Sequence, residues 1–152
     1  MSGLRVLIVE DEVLLAMQLE YHVLEAGHEV VGCALTSAEA LKLAAETKPD
    51  LIFVDINLAD GPTGIDVARE LGLVSSRVVV FMTANSKRIP ADFAGAAGVI
   101  GKPYTQNGIR EALSFVRDAM AAGAAPPPPD CLVMSPRFGA PREGRIRFFA
   151  NG

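Results

Sequence analysis

Four short apolar runs in this chain of 152 residues each deliver a reactive side chain at their end. Leu4-Arg-Val-Leu-Ile-Val9 runs into Glu10-Asp11-Glu12, and Leu51-Ile-Phe-Val54 runs into Asp55. Val78-Val-Val-Phe-Met82 leads to Thr83-Ala84-Asn85, and Gly98-Val-Ile-Gly101 leads to Lys102-Pro103. Brought together, Glu10, Asp11 and Asp55 would repel one another. Two charges about 4 Å apart cost roughly 4 kcal/mol at an effective dielectric near 20, so something cationic must offset them. Lys102 can supply one positive charge and a hard divalent ion two. Mg²⁺ commonly takes one or two carboxylates and leaves its other positions to water or phosphate oxygens. An ionised carboxylate beside such an ion, a lysine and a threonine hydroxyl is equipped for phosphoryl transfer. The cations neutralise the equatorial oxygens, the hydroxyl donates to one of them, and the carboxylate attacks. Taken alone, Asp55 reads equally well as a turn or helix-capping residue.

The elements between these residues decide whether they meet. From Val13 to Ala26, Leu14, Met17, Tyr21 and Leu24 recur at three- and four-residue steps, a helical pattern stopped by Gly27, and Tyr21 reads as a core residue. Glu29–Ala34 makes a short second strand. Thr36-Ser-Ala-Glu39 is a capping-box pattern for a helix with Leu41, Ala44 and Ala45 on its apolar face, broken at Lys48-Pro49. Asn57–Gly64 is dense in turn formers, Ile65–Leu71 predicts a short helix and Ile89–Gly95 a weak one. Thr105–Ala122 predicts a final helix with Ile109, Ala112, Leu113, Val116 and Met120 on one face. Five strands alternating with five helices imply βαβ units and a doubly wound α/β fold. Five strands in about 120 residues favour the flavodoxin-like parallel order 2-1-3-4-5. In such a sheet all strand carboxyl ends share one edge, so Glu10, Asp11, Asp55, Thr83 and Lys102 are expected to line one crevice.

Composition narrows the function classes. Residues 1–129 carry ten Lys and Arg against sixteen Asp and Glu, an acidic body that argues against nucleic acid or anionic lipid as a partner. Residues 130–152 carry four arginines against two acids. No apolar run reaches the roughly 18 residues of a membrane span, and the amino-terminal run is short for a signal peptide. The expected location is therefore cytoplasmic, with Cys33 and Cys131 as free thiols. His22 and His28 read as surface residues. Gly95–Lys102 has the wrong spacing for a phosphate loop. After Ala122, Gly123–Asp130 with its four prolines predicts an extended spacer, and the remainder a basic, flexible tail with apolar spots at Leu132–Met134 and Ile146–Phe149. Two segments result: a domain over 1–122 and a linker with tail over 123–152.

The set Val9-Glu-Asp-Glu12, Asp55, Thr83-Ala84 and Lys102-Pro103, in this order and spacing, resembles the receiver domain of two-component response regulators. The resemblance covers residues 4 to about 122. It implies that Asp55 accepts a phosphoryl group from a phosphohistidine on a sensor histidine kinase or phosphotransfer protein. Mg²⁺ would be held by Asp11, Asp55 and the backbone carbonyl of Asn57, with Glu10 acting through water. Thr83, Lys102 and the backbone amides of Ala84 and Asn57 would hold the phosphoryl group, and the Lys102-Pro103 bond would be cis. The same likeness implies output to a downstream protein, and homodimer contact through the fourth helix, fifth strand and fifth helix. Enzymatic activity would be limited to the protein's own phosphorylation and dephosphorylation.

Two positions depart from the family pattern. Val99 stands where an aromatic residue usually lies three before the lysine, and Gly64 comes nine rather than eight residues after Asp55. No DNA-binding or enzymatic output domain is expected after the last helix. The rival readings are an aspartyl-phosphate hydrolase, which usually wants a second acid where this chain has Asn57, and a degenerate receiver that binds partners without phosphorylation.

Overall fold

A computed structural model describes residues 3–73, 77–122, 124–125, 127–136 and 146–147. Five parallel strands form the centre: β1 (Arg5–Val9), β2 (Glu29–Ala34), β3 (Leu51–Asp55), β4 (Val78–Thr83) and β5 (Gly98–Gly101), in the order 2-1-3-4-5. Four α-helices accompany them: α1 (Val13–Glu25), α2 (Ser37–Thr47), α3 (Gly64–Leu71) and α4 (Gln106–Ala122). The strands are buried on both faces, as crossover helices require. Because successive residues point to opposite faces, Val6, Ile8 and Phe53 join one core with α1 and α4, and Leu7, Val9 and Val54 join the other with α2 and α3. Among the described residues no helix is long and apolar enough to cross a membrane.

Several expectations are corrected. The helix read over Ile89–Gly95 is absent. Two single 3₁₀ turns, Ser86–Arg88 and Phe93–Gly95, stand in its place. Pro90 disfavours helical geometry in Ile89, which is extended at φ −74° and ψ 127°. Phe93 and Ala94 then adopt left-handed φ values of 55° and 50°, which no α-helix can continue.

Helix α1 forms where expected, but its apolar periodicity faces outward. Leu14 is 81% exposed, and Met17, Tyr21 and Leu24 are exposed with it, whereas Ala16, Leu19, His22 and Val23 pack inward. Tyr21 is thus not a core residue, and neither His22 nor His28 lies at the surface. The ring of His28 is buried because its Nδ1 accepts the Leu4 amide at 2.8 Å. Helix α2 buries Ala40 and Ala44 and turns Leu41 and Ala45 outward, one position away from the face read in the sequence. Its capping box forms. The Glu39 amide donates to Thr36 Oγ1 at 3.2 Å, and Glu39 accepts from the Leu35 amide at 3.2 Å.

Beyond α4 the chain returns to the sheet. Strand β6 (Ala124–Ala125) pairs with β8 (Ile146–Arg147), while β7 (Leu132–Met134) joins the edge of β5 antiparallel, making a six-stranded sheet in the order 2-1-3-4-5-7. The sequence reading left this segment in the tail. Phe148 and Phe149, the rest of the second apolar spot, lie outside the described residues.

Candidate functional site

The carboxyl ends of β1, β3, β4 and β5 meet at one edge of the sheet and carry the expected residues there. Glu10 directly follows β1 and is 5% exposed. Asp55 ends β3, and Lys102 directly follows β5. The Lys102 ammonium bridges both acids, donating to Glu10 Oε1 at 2.7 Å and to Asp55 Oδ2 at 2.8 Å. Its base is fixed by a hydrogen bond from the Lys102 amide to the Thr83 carbonyl at 2.8 Å, and the following peptide bond, to Pro103, is cis.

Electrostatics follow from burial. Loss of solvent pushes the Glu10 carboxyl up to about 7; the Lys102 hydrogen bond opposes this and the neighbouring Asp55 adds to it. For Lys102 burial favours the neutral amine, yet the hydrogen bonds to Asp55 and Glu10 outweigh it and raise the ammonium above its ordinary value. One lysine shared between two acids, with a third acid close by, leaves a site short of positive charge. Oxygens of Glu10, Asp11 and Asp55 lie within 4.8 Å of one another, an all-oxygen donor set that fits a hard ion such as Mg²⁺.

The remaining expected residues are placed less uniformly. The Thr83 hydroxyl is buried and accepts the Asn85 amide at 3.0 Å, so it lies at the sheet edge but is engaged within its own turn. Ala84 follows it, exposed. The Asn57 amide donates to Asp55 Oδ1 at 3.2 Å, and its side-chain oxygen accepts from Arg88 at 2.8 Å, joining the loop after β3 to the loop after β4.

That β3–α3 loop is shaped by two further residues. Asp60 accepts from the Ser37 amide and hydroxyl and from the Thr63 hydroxyl, which anchors the loop to the start of α2 and lowers the Asp60 carboxyl below its ordinary value. Gly64 lies against the Asp55 backbone so closely that a Cβ there would stand 1.9 Å from the Asp55 carbonyl oxygen, so only glycine fits. Tyr104, Arg88 and His22 were not singled out in the sequence. Tyr104 lines the small cleft formed with Glu10, Asp55 and Lys102, and meets His22 of α1 edge to face at 6.3 Å. Its place directly after Lys102-Pro103 was a usable signal. Nothing local marks Arg88, whose partner is 31 residues away.

Comparison with known proteins agrees with this geometry. The family model for the response regulator receiver domain matches residues 6–114. The chain is 40% identical over 111 residues to the phyllosphere-induced regulator PhyR of Methylorubrum extorquens, covering 72% of this chain but 42% of that protein. It is 35% identical over 118 residues to the chemotaxis protein CheY of Thermotoga maritima, covering 75% and 98% respectively. Thus it spans less than half the length of one relative and nearly all of the other. Among solved structures, the solution structure of the Erythrobacter litoralis PhyR receiver domain aligns with a TM-score of 0.68 at 35% identity, covering 77% of this chain and 92% of that one.

Proposed function

The chain belongs to the response regulator receiver family, and from that premise we propose that Asp55 is a phosphoacceptor served by a phosphohistidine on a sensor kinase or phosphotransfer protein. The observation that carries this reading is the Lys102 bridge to Asp55 and Glu10 across the sheet edge, with Asp11 beside them. An Asp55 carboxylate oxygen attacks phosphorus in line, the bond from phosphorus to the donor imidazole nitrogen breaks, and the imidazole keeps the electron pair and takes up a proton. Lys102 stands within reach of the attacked group and can leave Glu10 to meet a phosphoryl oxygen. Thr83, once released from the Asn85 amide, and the amides of Ala84 and Asn57 are the neutral donors at the same edge. Mg²⁺, held by Asp11, Asp55 and the Asn57 carbonyl with Glu10 behind them, would supply charge neutralisation for the transferring oxygens.

The outward stripe of α1 supports a helical donor. Val13, Leu14, Met17, Tyr21 and Leu24 are exposed on a helix that starts two residues after Asp11, so an apolar surface begins at the mouth of the site. Contiguous exposed apolar patches of this kind mark protein interaction sites. Output is then read by a downstream protein in the cytoplasm, with chemistry confined to gain and loss of the Asp55 phosphoryl group. The test is incubation of wild type and Asp55→Asn with Mg²⁺ and a small phosphodonor. Wild type gains one phosphoryl group per chain and the variant none; equal labelling of the two would remove Asp55 from the role.

A further inference from the structure

Strand β7 occupies a seat that the domain builds for it. Val99 of β5 pairs with Val133, Ile100 with Leu132, and the Ser135 amide donates to the Ala97 carbonyl at 2.8 Å. Leu132 is 3% exposed and enters the core shared by α1 and α4. Two glycines make the room. A Cβ on Gly98 would stand 2.7 Å from the Val133 carbonyl oxygen, and Gly108, in the first turn of α4, faces the Cys131 side chain. Cys131 Sγ also donates to the Gly108 carbonyl at 3.2 Å. The result is a groove between β5 and α4 that takes an extended apolar segment in antiparallel register.

The segment reaches this groove by a strap whose length is nearly the minimum. Helix α4 has 17 residues, about 25 Å at 1.5 Å per residue. The chain leaves its carboxyl end, yet Cys131 lies at its amino end, so residues 123–131 must cover that whole length. Nine residues at about 3.1 Å each give roughly 28 Å in the extended form that a run of four prolines favours. A strap this tight gives the segment little slack, and the seat itself rests on one buried leucine and a few backbone pairs. Short, tensioned hinges favour exchange of identical elements between copies, since the exchanged form keeps every contact and relaxes the hinge.

We propose that Cys131–Ser135 is an exchangeable strand, and that the β5–α4 groove of one copy accepts this segment from a second copy to give a homodimer. This goes beyond the phosphoacceptor reading and does not depend on it. The groove commits to that occupant because the chain's own segment fits it: leucine inward, cysteine against a glycine notch, serine buried at the end.

A Cβ at Gly108 would lie 3.5 Å from the Cys131 Cβ, within disulfide range, so full-length Gly108→Cys carrying Cys33→Ser reports where the segment is docked. Oxidised when dilute, the protein is expected to run as an intrachain-crosslinked monomer on a non-reducing gel. Equilibrated concentrated and then oxidised, it should give a covalent dimer whose fraction rises about tenfold for a tenfold increase in concentration while dimer is scarce. Adding Leu132→Asp should remove both crosslinks, with circular dichroism confirming the fold. Crosslinking that stays intrachain at every concentration overturns exchange. A folded protein that forms no crosslink overturns the seat, and a dimer that survives Leu132→Asp assigns it to random collision and overturns the proposal as well.

Discussion

Lys102 balances two acids in this structure, and binding of a phosphoryl group at Asp55 would redistribute that contact. Its identity as a lysine at a strand end was legible in the sequence; its sharing between Glu10 and Asp55 was not, because that depends on three strands separated by 45 or more residues. The histidines went the other way. His28 follows a glycine stop and reads as a surface residue, yet its ring accepts the Leu4 amide and is enclosed, and burial, with Arg117 adding to it, lowers its pKa below the ordinary value. A histidine whose folded pKa is depressed binds fewer protons when folded than when unfolded. Its contribution is therefore present above the unfolded value near 6.5 and lost as pH falls below it. The urea midpoint should drop between about pH 7.5 and about pH 5.5, and His28→Asn should flatten that part of the profile. An unchanged pH dependence in the variant would count against His28 as its source. His22 is the second buried histidine. Its Nδ1 has no hydrogen-bond partner, and its ring packs between Tyr21 and Tyr104.

Among the elements, α1 separates what periodicity can and cannot tell. Spacing at three and four residues identified a helix over Val13–Glu25 correctly but not which stripe would face the sheet, since this helix has apolar residues on both sides. The small Ala16 and the histidine pack inward while Leu14, Met17 and Tyr21 remain outside. Changing exposed residues costs little folding energy, usually within about 0.5 kcal/mol, so the stripe can be tested cleanly. Leu14→Glu combined with Met17→Glu should slow phosphotransfer from a phosphohistidine protein about tenfold, which is about 1.4 kcal/mol of lost docking. Labelling by a small phosphodonor should be unaffected. If both reactions slow together, the stripe acts on the site rather than on docking. The five parallel strands were legible because each is a continuous apolar run. The missing helix and the extra strand were not, the first because two left-handed residues decide it and the second because edge pairing is set by a neighbour more than 30 residues away.

At the scale of the whole molecule, the division of labour lies between two ends of one sheet. The amino end is tied by Arg5, whose amide donates to Asp50 and whose guanidinium donates to the Thr47 carbonyl and Glu29. The carboxyl end gathers acids that repel, and so gives up stability for chemistry. A ligand that binds only the folded state returns some of it. Mg²⁺ at about one hundred times its dissociation constant should add about 2.7 kcal/mol, a rise of roughly 5 to 10 °C in Tm for a domain of this size. Asp11→Asn should lose most of that rise in a thermal-shift measurement; an equal rise in both proteins would mean that the ion binds elsewhere. The overall order 2-1-3-4-5 was legible from alternation alone, because parallel strands need crossovers and few arrangements satisfy them.

The position of β7 along the chain also affects the order of synthesis. Ten residues separate the end of α4 from Leu132, so a growing chain has β5 and α4 complete before the strand that covers that edge has been made. At about 5–20 residues per second the lag is on the order of one second. For that interval the nascent domain presents an uncapped strand, and neighbouring chains on one message would be close enough to trade their last strands before either closes on itself.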